Sequence, residues 1–310
     1  MDLQYLERFI VLTQELNYTR AAEKLNIPQS HLSVQIKNLE QELGVKLFIR
    51  DRPIKLTPAG TIFLQEVEIL LAQVQRTKHL TQRANRGEIG KLTIGINTSI
   101  SNSLLPDILY KFRSDFPDVD LVLQELLVKE SRARLINGSI DLNFEDIQNL
   151  QNIDEQKFLA YEVILQEPLV IVIPANHPLA KKSQIWLQDL NGKDFIMPAR
   201  DTVPGLNVTI QELCRQAEIQ LQIIQEATWM TTVLSLVAGG LGISLLPLNA
   251  VNLQRKGIVY REIQDSTALC ELAVVWRCND SSTILANFLA VIREVAAIND
   301  RNFPYKLTHY

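Results

Sequence analysis

The apolar positions between Phe9 and Gly60 fall into helical rhythms separated by short polar breaks. Residues 4–16 carry Leu6, Phe9, Ile10 and Thr13 at helical spacing, with Val11 and Leu12 widening the stripe, so the pattern predicts a supporting first helix. Thr19 opens a second helix, with Leu16, Ala22 and Leu25 expected on its inner face and Ala21–Ala22 small enough for a neighbouring helix to approach closely. After a short gap, Gln29 or Ser30 starts a third helix, with Leu32, Ile36 and Leu39 on one side. Gln29, Ser30, Ser33, Val34 and Lys37 are left on its outward side, where a helix-turn-helix meets base edges and phosphates. An ordinary helical hairpin has the same spacing, and spacing alone does not choose between the two.

The segment after the hairpin favours the DNA-binding reading. Gly44 suits a helix C-cap, Val45–Ile49 alternates like a short strand, and Arg50-Asp51-Arg52-Pro53-Ile54-Lys55 reads as a basic turn before a second strand at Leu56–Thr57. Two short strands around a basic tip make a wing, which lays Arg and Lys along a nucleic-acid backbone or into its minor groove. Pro58 then stands at the start of a long helix, because Ala59–Arg86 has no internal glycine or proline beyond its first turn and its apolar residues repeat in threes and fours. A helix of that length projecting from a small domain has no core of its own, so it is expected to pair two copies of the chain. Gly87 and Gly90 close it. From Lys91 the texture becomes strand–helix–strand, with strands expected at Lys91–Ile96, Val119–Leu123, Ile140–Leu142, Val163–Leu165, Leu169–Ile173, Leu221–Gln225, Ile243–Leu246 and Leu272–Val275. Helices are expected at Asn102–Phe116, Ser131–Asn137, Thr209–Ala217, Thr231–Ala238 and Thr283–Ala297; the β–α–β–α–β order from Lys91 to Leu142 predicts a mostly parallel sheet, and the whole gives two α/β lobes whose strand ends face each other across a cleft.

Composition adds bounds. The 310 residues carry a net charge of −4, with Lys+Arg against Asp+Glu at 8 to 7 in residues 1–60, 4 to 3 in 61–90 and 19 to 25 in the rest. The acidity thus belongs to the back of the chain, and the front keeps enough cations for a few phosphate contacts. No apolar run approaches the roughly 18 residues that span a bilayer, and the amphipathic start has no signal-peptide pattern. Cys214, Cys270 and Cys278 lack metal-ligand spacing and fit a reducing cytoplasm. The four histidines are scattered, Gly239-Gly240-Leu-Gly242 has the wrong order for a dinucleotide loop, and no nucleophile elbow or paired-carboxylate pattern is present, so no enzymatic constellation is found.

The chain resembles the LysR-type transcriptional regulators. The likeness rests on Phe9, Tyr18-Thr19, Ala21-Ala22, Leu25, Gln29, Ser33, Ile36, Leu39-Glu40, Leu43-Gly44, Leu47-Phe48, Arg50, Leu56-Thr57 and Ala59-Gly60, and farther on His177-Pro-Leu-Ala180 and Leu236–Ser244 before Leu246-Pro247. It implies an α+β multi-domain chain: a winged helix-turn-helix over 1–58, a linker and dimerisation helix over 59–90, and a two-lobed, periplasmic-binding-protein-like effector domain over 91–310. Lobe I would take residues 91–163 and 266–300, and lobe II 164–265. It also implies a cytoplasmic homodimer built on the linker helix and assembled into a homotetramer. The partners would be promoter DNA and RNA polymerase, and the small molecule a metabolite effector in place of any cofactor. The DNA contacts carry over to Gln29, Ser33 and Arg50, joined by Thr19, Ser30, His31, Val34 and Lys37 of the helical pair and by Arg52 and Lys55 of the wing. Only five residues separate Arg50 from Leu56, about one fewer than is usual in the family. Effector contacts would be Thr98 and Ser99 after the first strand, Lys129 after the second, and Asp201, Thr202 and Thr228 opposite. A helix start beside Thr98 favours an anion. Thr98 and Ser99 also fit simple N-caps, and Lys129 and Thr202 also fit solvated loops. A solute-binding protein using only the back domain is the alternative reading; the winged N-terminus and the absence of a signal-peptide pattern count against it.

Overall fold

In the computed structural model, which describes residues 2–49, 51, 54–149, 158–201, 203–266 and 268–302, helices α1 (Leu3–Glu15), α2 (Tyr18–Lys24) and α3 (Gln29–Leu43) precede a two-stranded ribbon. The cap of α2 is Asn17, whose Oδ1 accepts the amides of Thr19 and Arg20 at 2.9 and 3.2 Å, and not Thr19 as the sequence pattern suggested. Leu16 does not join the inner face. It ends α1 in the left-handed region (φ 48°) and points outward, a position the hydrophobic pattern cannot foresee because backbone geometry overrides it. Ala21 and Ala22 are buried as expected, and Leu6, Phe9, Leu12, Leu32, Ile36 and Leu39 close a core around them. Phe9 packs against Phe48 and Phe63 at centroid distances of 5.4 and 5.0 Å. Each such buried side chain contributes roughly 1.5–3 kcal/mol relative to exposure.

The ribbon pairs β1 (Phe48–Ile49) with β2 (Lys55–Leu56) antiparallel, Phe48 opposite Leu56. Its tip residues Arg50, Arg52 and Pro53 lie outside the described residues. Helix α4 (Pro58–Asn85) follows without interruption; its 28 residues reach about 42 Å at 1.5 Å per residue. Val67 enters the helix-turn-helix core, whereas Ile62 and Ile69 are 64% and 65% exposed and Leu70 and Leu80 also face outward. Met1–Arg83 form one compact unit and Ala84–Tyr310 a second.

The second unit opens with β3 (Ile89–Ile96), α5 (Thr98–Ser101), α6 (Leu105–Asp115), β4 (Asp118–Glu125), α7 (Val128–Ile136) and β5 (Leu142–Asp146). The helix expected over Asn102–Phe116 is α6, starting three residues later at Leu105 with Pro106 in its first turn, where its missing N–H costs nothing, and the short α5 before it was not foreseen. Strand β5 runs on past Leu142 through Asn143 and Glu145, both buried. Polar residues inside a strand hide it from a pattern search. β6 (Leu159–Pro174) is one 16-residue strand through Pro168, not the two strands expected. Next come β7 (Asp194–Pro198), α8 (Pro204–Gln216), β8 (Gln222–Ala227), α9 (Met230–Ala238), β9 (Ser244–Pro247), β10 (Ile258–Glu262), β11 (Leu269–Arg277) and α10 (Thr283–Asn302). Leu187–Leu190 forms a short 3-10 turn, and β10 has no counterpart in the sequence reading.

The strands order as β10-β6-β11-β5-β3-β4, with β9 also on β6. β4, β3 and β5 are parallel, but β11 runs antiparallel to β5 and to β6, so the first lobe's sheet is mixed and not mostly parallel. Its core includes Ile94, Phe112, Phe144, Val274 and Phe288. The second lobe wraps two cores about the far half of β6, one with Ile171, Ile173, Phe195 and Ile210, the other with Val170, Val172, Val233 and Leu246. Leu165 belongs to the first lobe's core and Leu169 to the second's, so β6 passes from lobe to lobe within a few residues. β11 returns beside it, Leu269 opposite Pro168.

Candidate DNA-reading surface and effector cavity

The N-terminal surface is built by α3, whose buried side (Leu32, Ile36, Leu39) fixes the orientation of its outer side. Gln29, Ser30, His31, Val34 and Lys37 are exposed and Ser33 is half-buried; Val34, an apolar side chain, is 54% exposed. Thr19, Gln29 and Ser33 line one shallow groove with Arg20, Asp51 and Ile54, joining the start of α2, the start of α3 and the foot of the wing. His31 is turned along its helix, its Nε2 3.1 Å from the Gln35 amide. Lys55 is exposed on β2. Arg50 and Arg52 fall outside the described residues.

The wing is held by Glu40, a residue the sequence matched without assigning a role. Its side chain is 2% exposed, and Oε1 accepts the amides of Leu47 and Phe48 at 2.9 and 3.3 Å while Oε2 meets Lys46 Nζ at 2.8 Å. Burial alone would raise its pKa. Lys46 and the two amides outweigh burial, and the carboxyl titrates below its ordinary range. Thr57 adds a bond from its hydroxyl to Lys46 O at 2.7 Å, and Gly60 passes so close to Leu47 that any β-carbon would overlap that carbonyl oxygen.

In the second unit a cavity of ≈ 70 Å³ lies between the lobes. Its walls are mainly apolar: Leu126, Leu127 and Val128 from the first lobe, Val203, Leu206, Val233 and Leu246 from the second. Thr98, Ser99 and Thr228 line it. Asp201 is exposed and outside the lining, Thr202 is not among the described residues, and neither is the Lys129 side chain. The cap of α5 is Asn97, whose Oδ1 accepts the Ile100 amide at 3.1 Å, which leaves the Thr98 and Ser99 hydroxyls without that duty. Three longer helices begin at the same cavity: α7 after Leu127, α8 after Val203 and α9 after Trp229, and none has a side-chain cap. Their first-turn amides carry the positive ends of the helix dipoles.

Sequence reasoning missed the acidic side of this cavity. Asp146 lines it, and burial pushes the carboxyl up to about 6; among the described residues it has no hydrogen-bond or ion-pair partner. Behind it Glu145 is buried and pushed up to about 7 by desolvation, against the pull of Arg132, whose Nη2 stands 3.1 Å from Oε1. Glu167 on β6 is likewise pushed by burial to about 7, although it accepts the amide and side chain of Asn249. The available signal was topological: Asp146 ends a parallel strand at its carboxyl edge, where α/β sheets bind ligands. Burial raises the Cys214 thiol to about 11 and holds the Cys270 thiol well above its usual range, so both are poor nucleophiles. No helix among the described residues is long and apolar enough to cross a membrane.

A winged helix-turn-helix carried on one chain with a two-lobed, cavity-bearing domain defines a DNA-binding regulator with its own sensor. Residues 3–61 match the bacterial regulatory helix-turn-helix of the lysR family, and residues 85–297 match the LysR substrate binding domain. The chain is 33% identical over 292 residues to the HTH-type transcriptional regulator AlsR of Bacillus subtilis (strain 168), covering 94% of this chain and 95% of that one. It is 32% identical to the Hca operon transcriptional activator HcaR of Escherichia coli (strain K12), with 95% and 98% covered. The crystal structure of full-length BenM superposes with a TM-score of 0.61 at 29% identity, covering 97% of this chain and 98% of that one. That of CbnR, a LysR family transcriptional regulator, reaches 0.83 at 23% identity over 94% and 100%, a likeness of fold. The chain belongs to the LysR family of transcriptional regulators, with a DNA-binding helix-turn-helix domain and an effector-binding domain.

Proposed function

We propose that this regulator reads promoter DNA through the outer side of α3 and the wing, as a cytoplasmic homodimer paired along α4 and assembled into a homotetramer, and that a small anionic metabolite in the inter-lobe cavity shifts the balance between two arrangements of that assembly. The convergence of three uncapped helix starts on one mainly apolar cavity carries the effector reading. An anion there satisfies amides that no side chain satisfies, while its apolar body fills the rest. The exposed Ile62 and Ile69 on α4 support pairing along that helix. An effector that favours one arrangement shifts it only by its difference in affinity between the two.

In the DNA reading, Gln29 and Ser33 meet base edges, Val34 meets a thymine methyl, and Lys37 and Lys55 with Arg50 and Arg52 meet phosphates. The test is fluorescence anisotropy on the chain's own upstream DNA against random duplex over a salt series. Gln29→Ala with Ser33→Ala lowers the specific-to-random ratio, whereas Lys55→Ala weakens binding to both and flattens the salt slope by about one. Equal effects from both variants would overturn the division of roles, and no preference for the upstream DNA would overturn the reading itself.

A further inference from the structure

The anion reading leaves a contradiction inside the cavity. The lining that presents helix starts also presents Asp146, and among its described side chains there is no Lys or Arg to neutralise that carboxylate. The titratable groups around Asp146 bring no positive charge: Glu145 next to it on β5, Glu167 on β6 and Glu125 at the end of β4 are acidic, and the Cys270 thiol on β11 is held neutral by burial. Arg132, the nearby cation, is engaged by Glu145 and by the carbonyl of Asn149. A simple anion that filled the whole cavity would lie against this carboxylate, and like charges in a desolvated space repel strongly. A plain apolar group placed there would leave a buried acceptor without a partner, which is also costly.

We propose that Asp146 is a specificity-determining residue of the effector cavity, selecting a small carboxylic acid that bears an O–H or N–H donor at the end away from its carboxylate. The carboxylate lies at the starts of α7, α8 and α9, and the donor bonds to Asp146. This deepens the reading of the cavity as an effector site and rests on it. Size agrees with it. A water needs roughly 10–15 Å³ of such space, so ≈ 70 Å³ holds on the order of five waters and suits a short-chain acid.

The experiment uses the full-length protein and calorimetric titration with three acids of equal heavy-atom count: pentanoate, γ-hydroxybutyrate and γ-aminobutyrate, ending in methyl, hydroxyl and ammonium. Their one-carbon-shorter homologues and the carboxamide of each are titrated alongside. The hydroxyl or ammonium member binds about tenfold or more tightly than the methyl member, the worth of a hydrogen bond to a charged group. In Asp146→Leu the order inverts in favour of methyl. In Asp146→Asn, which keeps size and an acceptor oxygen, the ammonium preference disappears and the hydroxyl preference survives, so misfolding of the leucine variant does not decide the result. Methyl binding as tightly as the donors in the wild type, or an unchanged ammonium preference in Asp146→Asn, overturns the proposal. If carboxamides bind as well as acids, the anion reading fails while the methyl-against-donor ratio still judges Asp146. If no member binds at millimolar concentration, both fail.

Discussion

Removing the carboxylate of Glu40 isolates what holds the wing in place. In Glu40→Ala the amides of Leu47 and Phe48 lose their acceptor, and Leu47 and Phe48 are both buried, so water does not replace it. A buried donor left unsatisfied costs roughly 1–3 kcal/mol, and two of them put the cost at about 2–6 kcal/mol. The ion pair to Lys46 adds little. Lys46 is 66% exposed, and such pairs are worth at most about 1 kcal/mol. Glu40→Gln keeps an acceptor oxygen for the amides and loses the charge, so it falls between, at about 1–2 kcal/mol. Hydrogen exchange of the full-length protein, read on peptides spanning residues 44–57, reports the opening free energy at Leu47 and Phe48. The expected order of effect is Glu40→Ala, then Glu40→Gln, then Lys46→Ala, and DNA affinity tracks it. The reasoning is refuted if Lys46→Ala costs as much as Glu40→Ala, because the ion pair and not amide capping would then hold the wing. The pH dependence has a fixed sign. Glu40 titrates below its ordinary value when folded, so its contribution is complete above the ordinary carboxylate range and is lost as pH falls through the lowered value.

Two further outcomes rest on buried contacts. Gly60→Ala forces a β-carbon onto Leu47 O, a backbone atom with no flexible end to yield, so it should destabilise the wing-to-α4 junction by about 1–3 kcal/mol in urea unfolding; a neutral result would show that the junction shifts freely. Glu167 has the opposite pH sense to Glu40: its folded value of about 7 stands above the ordinary 4.5, so the stability it contributes is full below the ordinary value and is lost as pH rises through about 7. Glu167→Gln should therefore remove a loss on the order of 1–3 kcal/mol between acid and mildly alkaline pH, and parallel unfolding curves for wild type and variant would contradict this assignment.

The sequence made most of the N-terminal unit legible because its helices obey a single rule, one apolar face each, and because the wing announces itself through Gly44, the basic tip and Pro58. Where that unit departed from expectation the cause was backbone geometry. Leu16 turned outward in a left-handed C-cap, and Asn17 took the capping role that its polar neighbour Thr19 also fitted. In the second unit Thr98, Ser99 and Thr228 line the cavity, as expected of loops that follow strands. Asp146 was missed because Leu142–Glu145 before it alternates buried apolar and buried polar residues whose compensation comes from distant chain: Arg132 on α7 for Glu145, and neighbouring strands on both sides. Strand β6 runs unbroken through Gln166, Glu167 and Pro168, the residues between the two apolar runs read as separate strands, and Pro168 is accommodated opposite Leu269 at the lobe crossing.

That crossing makes the second lobe an insert. The chain enters it along β6 and leaves along β11, and at the threshold Pro168 and Leu269 are paired neighbours, on the order of 5 Å apart across the ladder. A module whose two ends lie side by side can be exchanged as one piece without stretching the host that carries it. Recombination between relatives at this threshold would therefore swap half of a sensing cavity in a single event, with the DNA-binding unit and the first lobe left intact and the ligand preference remade.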